Sequence, residues 1–377
     1  MNSGAAAQDR RREFAQFAQT YIAPAAAAAD QAGKLDPNVI DELRNAGFLG
    51  GSVPRDSGGL GMDPVTYGAL TAEIGRACSA ARTLLTVHSL VEMALLRWGS
   101  TQLKSEWLPE LAAGRRLAAF ALSESHSGSD AGALNTEIRS EGNDLVIHGQ
   151  KSWISFGQTA DLFLVFGRAP EGITAVLIPG DCDGLLRQPV TTMVGTRGAM
   201  MAHLTLDHCR IPSSAIVGRA GFGLSHVGAT ALDHGRYSVA WGAVGIIDAA
   251  WRACMDFARQ RSQFSTRLKD QPLMRARLTR LAVAARAARL LCMEAGRLRG
   301  TGSNTATVQT LIAKYFSSKA AVYAANEAIQ IHGARGLLEE TGLERLLRDA
   351  KVTEIIEGSS DLIELMLHDV GLEVDFD

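Results

Sequence analysis

The sequence predicts a mainly α-helical protein with a central β domain. Helical periodicity runs from residue 10 to about 117, short apolar runs of strand length fill about 118 to 217, and long amphipathic stretches continue to the end. The chain has 377 residues, enough for two or three domains. We therefore expect an N-terminal helical domain over 1–117, a middle β domain over 118–217 and a C-terminal helical bundle over 218–377.

The N-terminal region carries two clear helix signals. Asp36 followed by Pro37 is typical of a helix start, because the carboxylate caps free backbone N–H groups and proline suits the first turn. Gly47 stands where that helix should end. An earlier helix is indicated by apolar residues at helical spacing, namely Phe14, Phe17, Ala18, Tyr21 and Ile22.

The sequence pattern of the middle region is typical of β-strands. Its short apolar runs span residues 144–148, 151–155, 162–166, 173–178 and 203–207. Glycine-containing turn pairs separate them, and no long helical stretch intervenes, so we expect antiparallel pairing rather than alternating strands and helices. The C-terminal region then predicts long helices over 243–260, 278–299, 307–331 and 354–367.

Composition excludes several classes of protein. The 38 Lys and Arg against 40 Asp and Glu give a net charge of −2, which argues against a nucleic-acid binder. No stretch predicts a membrane span, and the five cysteines form no C-x-x-C pair, so we expect a cytoplasmic protein without disulfides. We also expect no metal site, because His203, His208 and Cys209 have no further ligand group near them in the sequence.

Two segments carry the chemistry. A loop rich in hydroxyls and carboxylates follows an apolar run at residues 120–130, and it suits either a polar ligand or an ordinary surface turn. The second segment places Glu357 after two isoleucines and before Gly358. A carboxylate in apolar surroundings has a raised pKa and becomes a better base near neutrality, although a solvated helix residue is the plain alternative. The cluster of glycines at 218–223 lacks the spacing of a nucleotide-binding fingerprint.

Together these segments resemble the acyl-CoA dehydrogenases, which are flavin enzymes. The resemblance covers nearly the whole chain and is carried by residues 122–130 (LSESHSGSD), 149–155 (GQKSWIS), 261–264 (RSQF), 330–333 (QIHG), 348–350 (RDA) and 356–358 (IEG). It implies a helical N-terminal domain, an antiparallel middle β domain, a C-terminal four-helix bundle and bound flavin adenine dinucleotide (FAD).

The resemblance also implies roles for individual residues. Glu357 matches the base that removes the α-proton of an acyl thioester, while hydride leaves for flavin N5. Substrate contacts are implied for Ser129, Arg236 and Gly358. Cofactor contacts are implied for Leu122, Ser123, Ser129, Trp153, Ser155, Ser359 and Asp361, and from a neighbouring subunit for Arg261, Phe264, Gln330 and Gly333. Because the resemblance implies cofactor contacts from a neighbouring subunit, it also implies a homo-oligomer. The usual state in the family is a tetramer, and a dimer is the alternative.

Some positions depart from the family pattern. Ser125, His126 and Ser127 replace a Pro-Gly-Ala run, Ala334 replaces a glycine and Pro272 a glutamine. Ser359 and Asp361 replace threonine and glutamine. These departures concern the cofactor loops and leave the base in place.

A finer resemblance bears on the substrate. Residues 84–89, 151–158, 160–168 and 313–316 are similar to a branch that oxidises a short hydroxylated acyl group on an acyl carrier protein for polyketide extender units. The substrate is thus an acyl-CoA or an acyl-carrier-protein thioester, and the electron acceptor is open. A flavin oxidase or a non-catalytic flavin-binding relative are the alternatives.

Overall fold

The computed structural model describes residues 3–371 and begins with a helical region. Its α-helices are Ser3–Phe17 (α1), Ala26–Ala32 (α2), Pro37–Asn45 (α3), Pro64–Ala77 (α4), Ser79–Trp98 (α5) and Thr101–Ala112 (α6). The predicted start of α3 is confirmed, because Asp36 Oδ1 accepts a hydrogen bond from Asn38 N at 2.9 Å. Gly47 takes the left-handed backbone expected after a helix end, with φ of 70°.

A β domain follows. Its strands are Ala118–Ala121 (β1), Glu137–Glu141 (β2), Asp144–Ile154 (β3), Leu162–Ala169 (β4), Gly172–Pro179 (β5), Leu185–Pro189 (β6), Ala202–Pro212 (β7) and Ile216–Val217 (β8). They form one sheet in the order β6-β7-β3-β2-β4-β5-β8, and β1 pairs with β4. The domain bounds at 117/118 and 217/218 stay a prediction, which falls directly before β1 and after β8.

The pairing is antiparallel along most of the sheet, as predicted, with one difference. β1 runs parallel to β4, and β2 meets β4 in parallel at a single pair. A parallel partner needs a long connection, and the loop and strands between β1 and β4 provide it. The two runs predicted at 144–148 and 151–155 join into the single strand β3, whose pairing with β7 shifts register twice.

The C-terminal region contains three long helices and two short ones. They are Ala229–Gln260 (α7), Pro272–Thr301 (α8), Ala306–His332 (α9), Leu343–Ile355 (α10) and Ser360–Gly371 (α11). A short hairpin, Ser262–Gln263 (β9) and Thr266–Arg267 (β10), joins α7 to α8. α9 packs against α7, α8, α10 and α11, and α4 packs across α7 and α8. Alanines dominate the buried contacts of α9, which lets neighbouring helices approach closely.

The fourth helix of this region differs from its prediction. A continuous helix was expected over 354–367, but α10 ends at Ile355 and α11 begins at Ser360. The break falls on the four residues that include Glu357 and Gly358. Among residues 3–371, no helix combines the length and the apolar character needed to cross a bilayer.

Candidate active site

A cavity of about 770 Å³ lies where the β domain meets the helices, within the size range of small-molecule sites. Its wall is built by the loop after β1, the end of β3, the first two turns of α7 and the turn between α10 and α11. Nine predicted site residues line it: Leu122, Ser123, Ser129, Trp153, Ser155, Arg236, Glu357, Gly358 and Ser359. The fold therefore brings together residues that lie up to 237 positions apart in the chain.

The turn that carries Glu357 has an unusual backbone. Glu357 and Gly358 both have positive φ, 58° and 94°. Glycine tolerates this region freely, whereas a glutamate there is strained, and such strain concentrates at functional sites. Two cations hold the turn: Arg236 Nε donates to the carbonyl oxygen of Glu357 at 3.0 Å, and Lys314 Nζ donates to that of Gly358 at 2.7 Å.

The carboxylate of Glu357 packs against α7, and one of its two oxygens accepts no hydrogen bond from the described residues. A Cβ at Gly235 of α7 would lie 2.7 Å from Oε2, so the glycine leaves the space that the carboxylate fills. Oε2 is buried and has no hydrogen-bond partner among the described residues. Burial raises the pKa of Glu357 to about 7, and the nearby charges that oppose this are Arg236, Lys314 and Arg82. The raised pKa expected from the sequence is thus present.

Arg82 is a buried cation that the sequence reasoning missed. Its side chain from α5 runs against Gly242 of α7, where a Cβ would lie 2.8 Å from Cδ. Nη1 donates to Thr86 Oγ1 at 3.3 Å, and Nη2 is buried without a partner among the described residues. Burial lowers the pKa of Arg82 to about 10, so it stays charged at neutral pH. Its charge acts on Glu357 from the interior side.

Lys314 was also missed. It is fully buried in α9, beside an otherwise small and apolar helix face. Burial lowers the pKa of Lys314 to about 8, with Glu357 acting in the opposite direction. A lysine within a run of apolar and small residues is a weak sequence signal, but an isolated charge of this kind needs a partner inside the fold.

The loop after β1 is fixed by a buried ion pair. Lys151 Nζ lies 2.7 Å from Glu124 Oε1 and 3.1 Å from the carbonyl oxygen of Leu122, to which it donates. Glu124 also accepts from the backbone N–H groups of Asn135 and Thr136. Burial alone would raise the pKa of Glu124, but these partners lower it to about 2. The pair holds Leu122 and Ser123 at the cavity wall, beside β3.

Trp153 and Ser155 form the β-domain side of the cavity. Trp153 has φ of 58° and its ring is 47% exposed, which is unusual for a large aromatic group in a strand. Burying such a ring against a planar ligand is favourable. The cavity thus offers an aromatic face, hydroxyls on Ser123 and Ser155, and apolar side chains at its edge. This lining fits the isoalloxazine of a flavin.

Five predicted residues do not line this cavity: Arg261, Phe264, Gln330, Gly333 and Asp361. The first four lie at one end of the bundle, where Phe257 of α7 stacks on His332 of α9 with 4.2 Å between ring centroids. Phe264 sits in the turn between β9 and β10 and is 93% exposed. Within one chain these residues are separate from the cavity lining. Asp361 is exposed in the first turn of α11.

The expectation that His208 has no further ligand groups beside it is wrong. Asp207 and His148 lie next to it on the surface of the sheet, and each offers one ligand atom within 4.8 Å of the others. The pairing of β3 with β7 creates this cluster, and residues 148 and 207–208 are too far apart in sequence for spacing to reveal it.

The fold and the site define a flavin-dependent oxidoreductase of acyl thioesters. Family models agree: residues 5–115 match the acyl-CoA dehydrogenase N-terminal domain, 119–209 the middle domain and 221–371 the C-terminal domain. The chain belongs to the acyl-CoA dehydrogenase family, and this family uses FAD.

Several known proteins are similar over nearly their whole length. An acyl-CoA dehydrogenase of Bacillus subtilis (strain 168) is 34% identical over 95% of both chains. Butyryl-CoA dehydrogenase from Megasphaera elsdenii is 28% identical over 97% of this chain and 98% of its own, with a TM-score of 0.94.

Two further similar structures are of proteins that are not named acyl-CoA dehydrogenases. FkbI, for biosynthesis of the methoxymalonyl extender unit of the Fk520 polyketide, is 32% identical over 97% of this chain and 100% of its own, with a TM-score of 0.89. The prolyl acyl carrier protein oxidase AnaB is 26% identical over 99% and 100%, with a TM-score of 0.94.

Proposed function

We propose that Glu357 is the base of an FAD-dependent dehydrogenation of acyl thioesters. The observation that carries this proposal is the carboxylate at the cavity wall: its Oε2 is buried without a hydrogen-bond partner among the described residues, and burial raises its pKa to about 7. A base of this kind is substantially ionised near neutrality yet still binds a proton well. Ser129, Arg236 and Gly358 are proposed to contact the substrate.

The chain's own groups perform the proton transfer. The C–H bond at the α-carbon of the acyl group breaks, and its proton goes to the Glu357 carboxylate. The electron pair left behind forms the Cα–Cβ double bond as hydride leaves the β-carbon. When bound, FAD supplies the hydride acceptor at N5. The α-proton is only weakly acidic, so the backbone N–H of Glu357 is proposed to polarise the thioester carbonyl by donating a hydrogen bond to it.

Arg236 and Lys314 keep the base in position. Both donate to carbonyl oxygens of the turn, so they fix the direction of the Glu357 side chain. Their charges also limit the rise of its pKa, which keeps a useful fraction ionised at neutral pH. The strained turn at residues 357–358 is therefore held from two helices.

The cofactor is proposed to contact two copies of the chain. Leu122, Ser123, Ser129, Trp153, Ser155 and Ser359 would hold it from the cavity side, with Asp361 close by on α11. Arg261, Phe264, Gln330 and Gly333 would reach it from a second copy. The exposed Phe264 supports this arrangement. So does an exposed apolar stripe on α8, formed by Leu273, Val283, Leu290 and Met293.

The proposal is tested by anaerobic bleaching of the bound flavin. Purified yellow protein is mixed with acyl-CoA and acyl-carrier-protein thioesters of increasing length, including hydroxylated three-carbon acyl groups. Loss of the flavin absorbance with saturated thioesters, together with an α,β-unsaturated product, is the expected result. Protein that binds these thioesters yet keeps its colour with all of them contradicts the proposal.

For the acyl carrier, we propose an acyl carrier protein with a short hydroxylated acyl group. The similarity to FkbI and AnaB supports this. Lys351 lines the cavity with 60% of its side chain exposed, where it can meet an acidic partner. Turnover of carrier-bound substrate should fall with rising salt and with Lys351→Glu, but not with Lys319→Glu, which is exposed on α9. Equal or faster turnover of the free CoA thioester contradicts this choice.

An oxidase is the second candidate, favoured by the similarity to AnaB, which is an oxidase. The two activities separate when air is admitted to the bleached protein. Rapid return of the yellow colour with one hydrogen peroxide per flavin identifies an oxidase. Slow return in air and fast return with an artificial electron acceptor identify a dehydrogenase.

A further inference from the structure

A cluster of three potential metal ligands lies on the β domain, and none of them lines the active-site cavity. His148 belongs to β3, and Asp207 and His208 belong to β7, the strand paired with it. All three side chains are exposed, by 57%, 62% and 70% in that order. They are not explained by the proposed reaction.

A β-bulge brings the three groups together. Ile147 pairs with Cys209 and Gly149 pairs with Leu206, so the single residue His148 stands opposite both Asp207 and His208. In regular pairing, neighbouring residues of a strand point to opposite faces of the sheet. The extra residue in β7 breaks that alternation locally, and bulges commonly re-aim side chains in this way.

The backbone at the bulge is strained. His208 has φ of 56°, in the left-handed region that non-glycine residues seldom occupy. Such a conformation is unfavourable for a residue with a side chain and persists where the surroundings enforce it. Here the conformation brings the His208 ring to the same side as His148, with 4.7 Å between the ring centroids.

The geometry around one carboxylate oxygen suits a shared ion. His208 Nδ1 lies 2.8 Å from Asp207 Oδ1, and His148 Nδ1 lies 3.8 Å from the same oxygen. Donor atoms around a tetrahedral zinc ion are about 3.3 Å apart, which follows from metal–ligand bonds of roughly 2.0–2.1 Å. Small rotations of exposed side chains therefore suffice to bring all three donors onto one ion.

We propose that His148, Asp207 and His208 bind one divalent transition-metal ion, with zinc as the preferred occupant. Two imidazoles and one carboxylate match Zn²⁺, Ni²⁺ or Cu²⁺, whereas Mg²⁺ and Ca²⁺ prefer oxygen ligands alone. The fourth position is open to solvent. The ion links β3 to β7 at the bulge, so it stabilises the β domain against unfolding.

The experiment uses the FAD-loaded protein after treatment with a chelator. Titration with ZnCl₂ in a calorimeter should show one ion per chain with a dissociation constant on the order of micromolar, and saturation should raise the melting temperature. MgCl₂ and CaCl₂ should do neither. His148→Ala and Asp207→Asn should each weaken zinc binding by on the order of tenfold or more. His208→Asn should do the same, because asparagine tolerates the left-handed backbone.

Two controls keep the assignment specific. His368→Ala removes an exposed histidine that also lies beside a carboxylate, Asp369, but forms no such cluster with a second imidazole among the described residues, and it should leave zinc binding unchanged. Cys182→Ser removes a thiol that lines the same surface pocket as His208, and binding should again persist. Absence of zinc binding by the parent protein, or zinc binding by the His148→Ala and His208→Asn variants that is as tight as that of the parent, shows a hydrogen-bonded cluster only and overturns the proposal.

Discussion

Gly235 of α7 packs directly against the carboxylate of Glu357. A Cβ at position 235 would lie 2.7 Å from Oε2 and 2.8 Å from Cδ, closer than side-chain atoms tolerate. The position of the proposed base thus depends on a missing methyl group on a neighbouring helix. The space left by Gly235 lets Oε2 lie in a buried position, where it has no hydrogen-bond partner among the described residues.

Gly235→Ala should therefore displace the base while leaving the fold and the cofactor in place. Alanine suits the interior of a helix better than glycine, so the helix itself gains stability. A displacement of about 1 Å at a reacting group costs on the order of 10²-fold in rate. We expect that loss in the rate of anaerobic flavin reduction, with the FAD content unchanged.

Gly300→Ala is the matched control for this change. It lies in α8, where, among the described residues, an added Cβ would come within 4 Å only of Pro64, at 3.8 Å. It should reduce flavin at the parent rate. A parent-like rate for Gly235→Ala as well would show that the carboxylate moves freely to another productive position.

Glu357→Gln tests the base directly. Glutamine keeps the shape of the side chain but does not take up the α-proton, so the folded yellow protein should bind thioester and fail to bleach. Loss of a general base costs about 10²–10⁴-fold in rate. Glu354→Gln is the control, because Glu354 pairs with Lys351 at 2.6 Å on α10. If Glu357→Gln stays within a few-fold of the parent rate, the base lies elsewhere.

The pH dependence of stability follows from the same residue. The pKa of Glu357 rises from 4.5 to about 7 on folding, so the folded state favours the protonated form. This contribution is fully present below about pH 4.5 and is lost as the pH rises through 7. Glu357→Gln lacks the titration, so from pH 4.5 to 8 it should gain stability relative to the parent, by on the order of 3 kcal/mol. Denaturant unfolding of both proteins across this range measures the difference, and parallel curves would contradict it.

The sequence pointed to Glu357 as the candidate base but did not predict the backbone that presents it. Residues 354–367 continue an amphipathic pattern, so a single helix was the natural expectation. The break at residues 356–359 is enforced from outside the segment, by Arg236 and Lys314, which donate to its carbonyl oxygens. Contacts across such distances leave little local signal, which is why Lys314 and Arg82 were also missed.

The β domain shows the same division. Its strands are recognisable in the sequence as short apolar runs, because the strands share one hydrophobic core within the β domain. The register between β3 and β7 was not visible, because a bulge depends on both strands together. The three potential metal ligands His148, Asp207 and His208 come together only through this register, so their positions along the chain do not reveal the cluster.

Lys314→Met should shift the pH–rate profile of flavin reduction to higher pH. The positive charge of Lys314 lowers the pKa of Glu357, so its removal raises that pKa and reduces the ionised fraction at neutrality. Gly358 also loses the donor to its carbonyl oxygen. The rate should recover in part at alkaline pH, which a purely structural defect would not produce.

Lys319→Met provides the comparison, because Lys319 lies on the same helix but is exposed and contacts Tyr315. Its profile should coincide with that of the parent. An unshifted profile for Lys314→Met would show that this lysine has no electrostatic effect on the base.

Arg261→Ala should lower the affinity for FAD, because a guanidinium pairs well with a diphosphate. Arg261 is exposed and absent from the cavity lining of its own chain, so the proposed contact with the diphosphate is one made to the cofactor of a second copy. Arg259→Ala is the control, because Arg259 is exposed nearby and pairs with Asp256 at 3.6 Å. FAD content and the dissociation constant, measured by flavin fluorescence, should change only for Arg261→Ala.

Hybrid oligomers show whether Arg261 contributes to the FAD site of its own chain or to that of a neighbouring copy. Coexpression of differently tagged Arg261→Ala and Glu357→Gln chains gives a hybrid in which each chain carries one defect. If Arg261 serves the site of its neighbour, the chain with an intact Glu357 receives an intact Arg261 from its partner. One site per pair is then fully functional, and the hybrid should show about half the parent activity at limiting FAD. If Arg261 serves its own chain, every site in the hybrid has one defect. The activity of the hybrid should then not exceed that of a mixture of the two single-variant oligomers that have not exchanged chains.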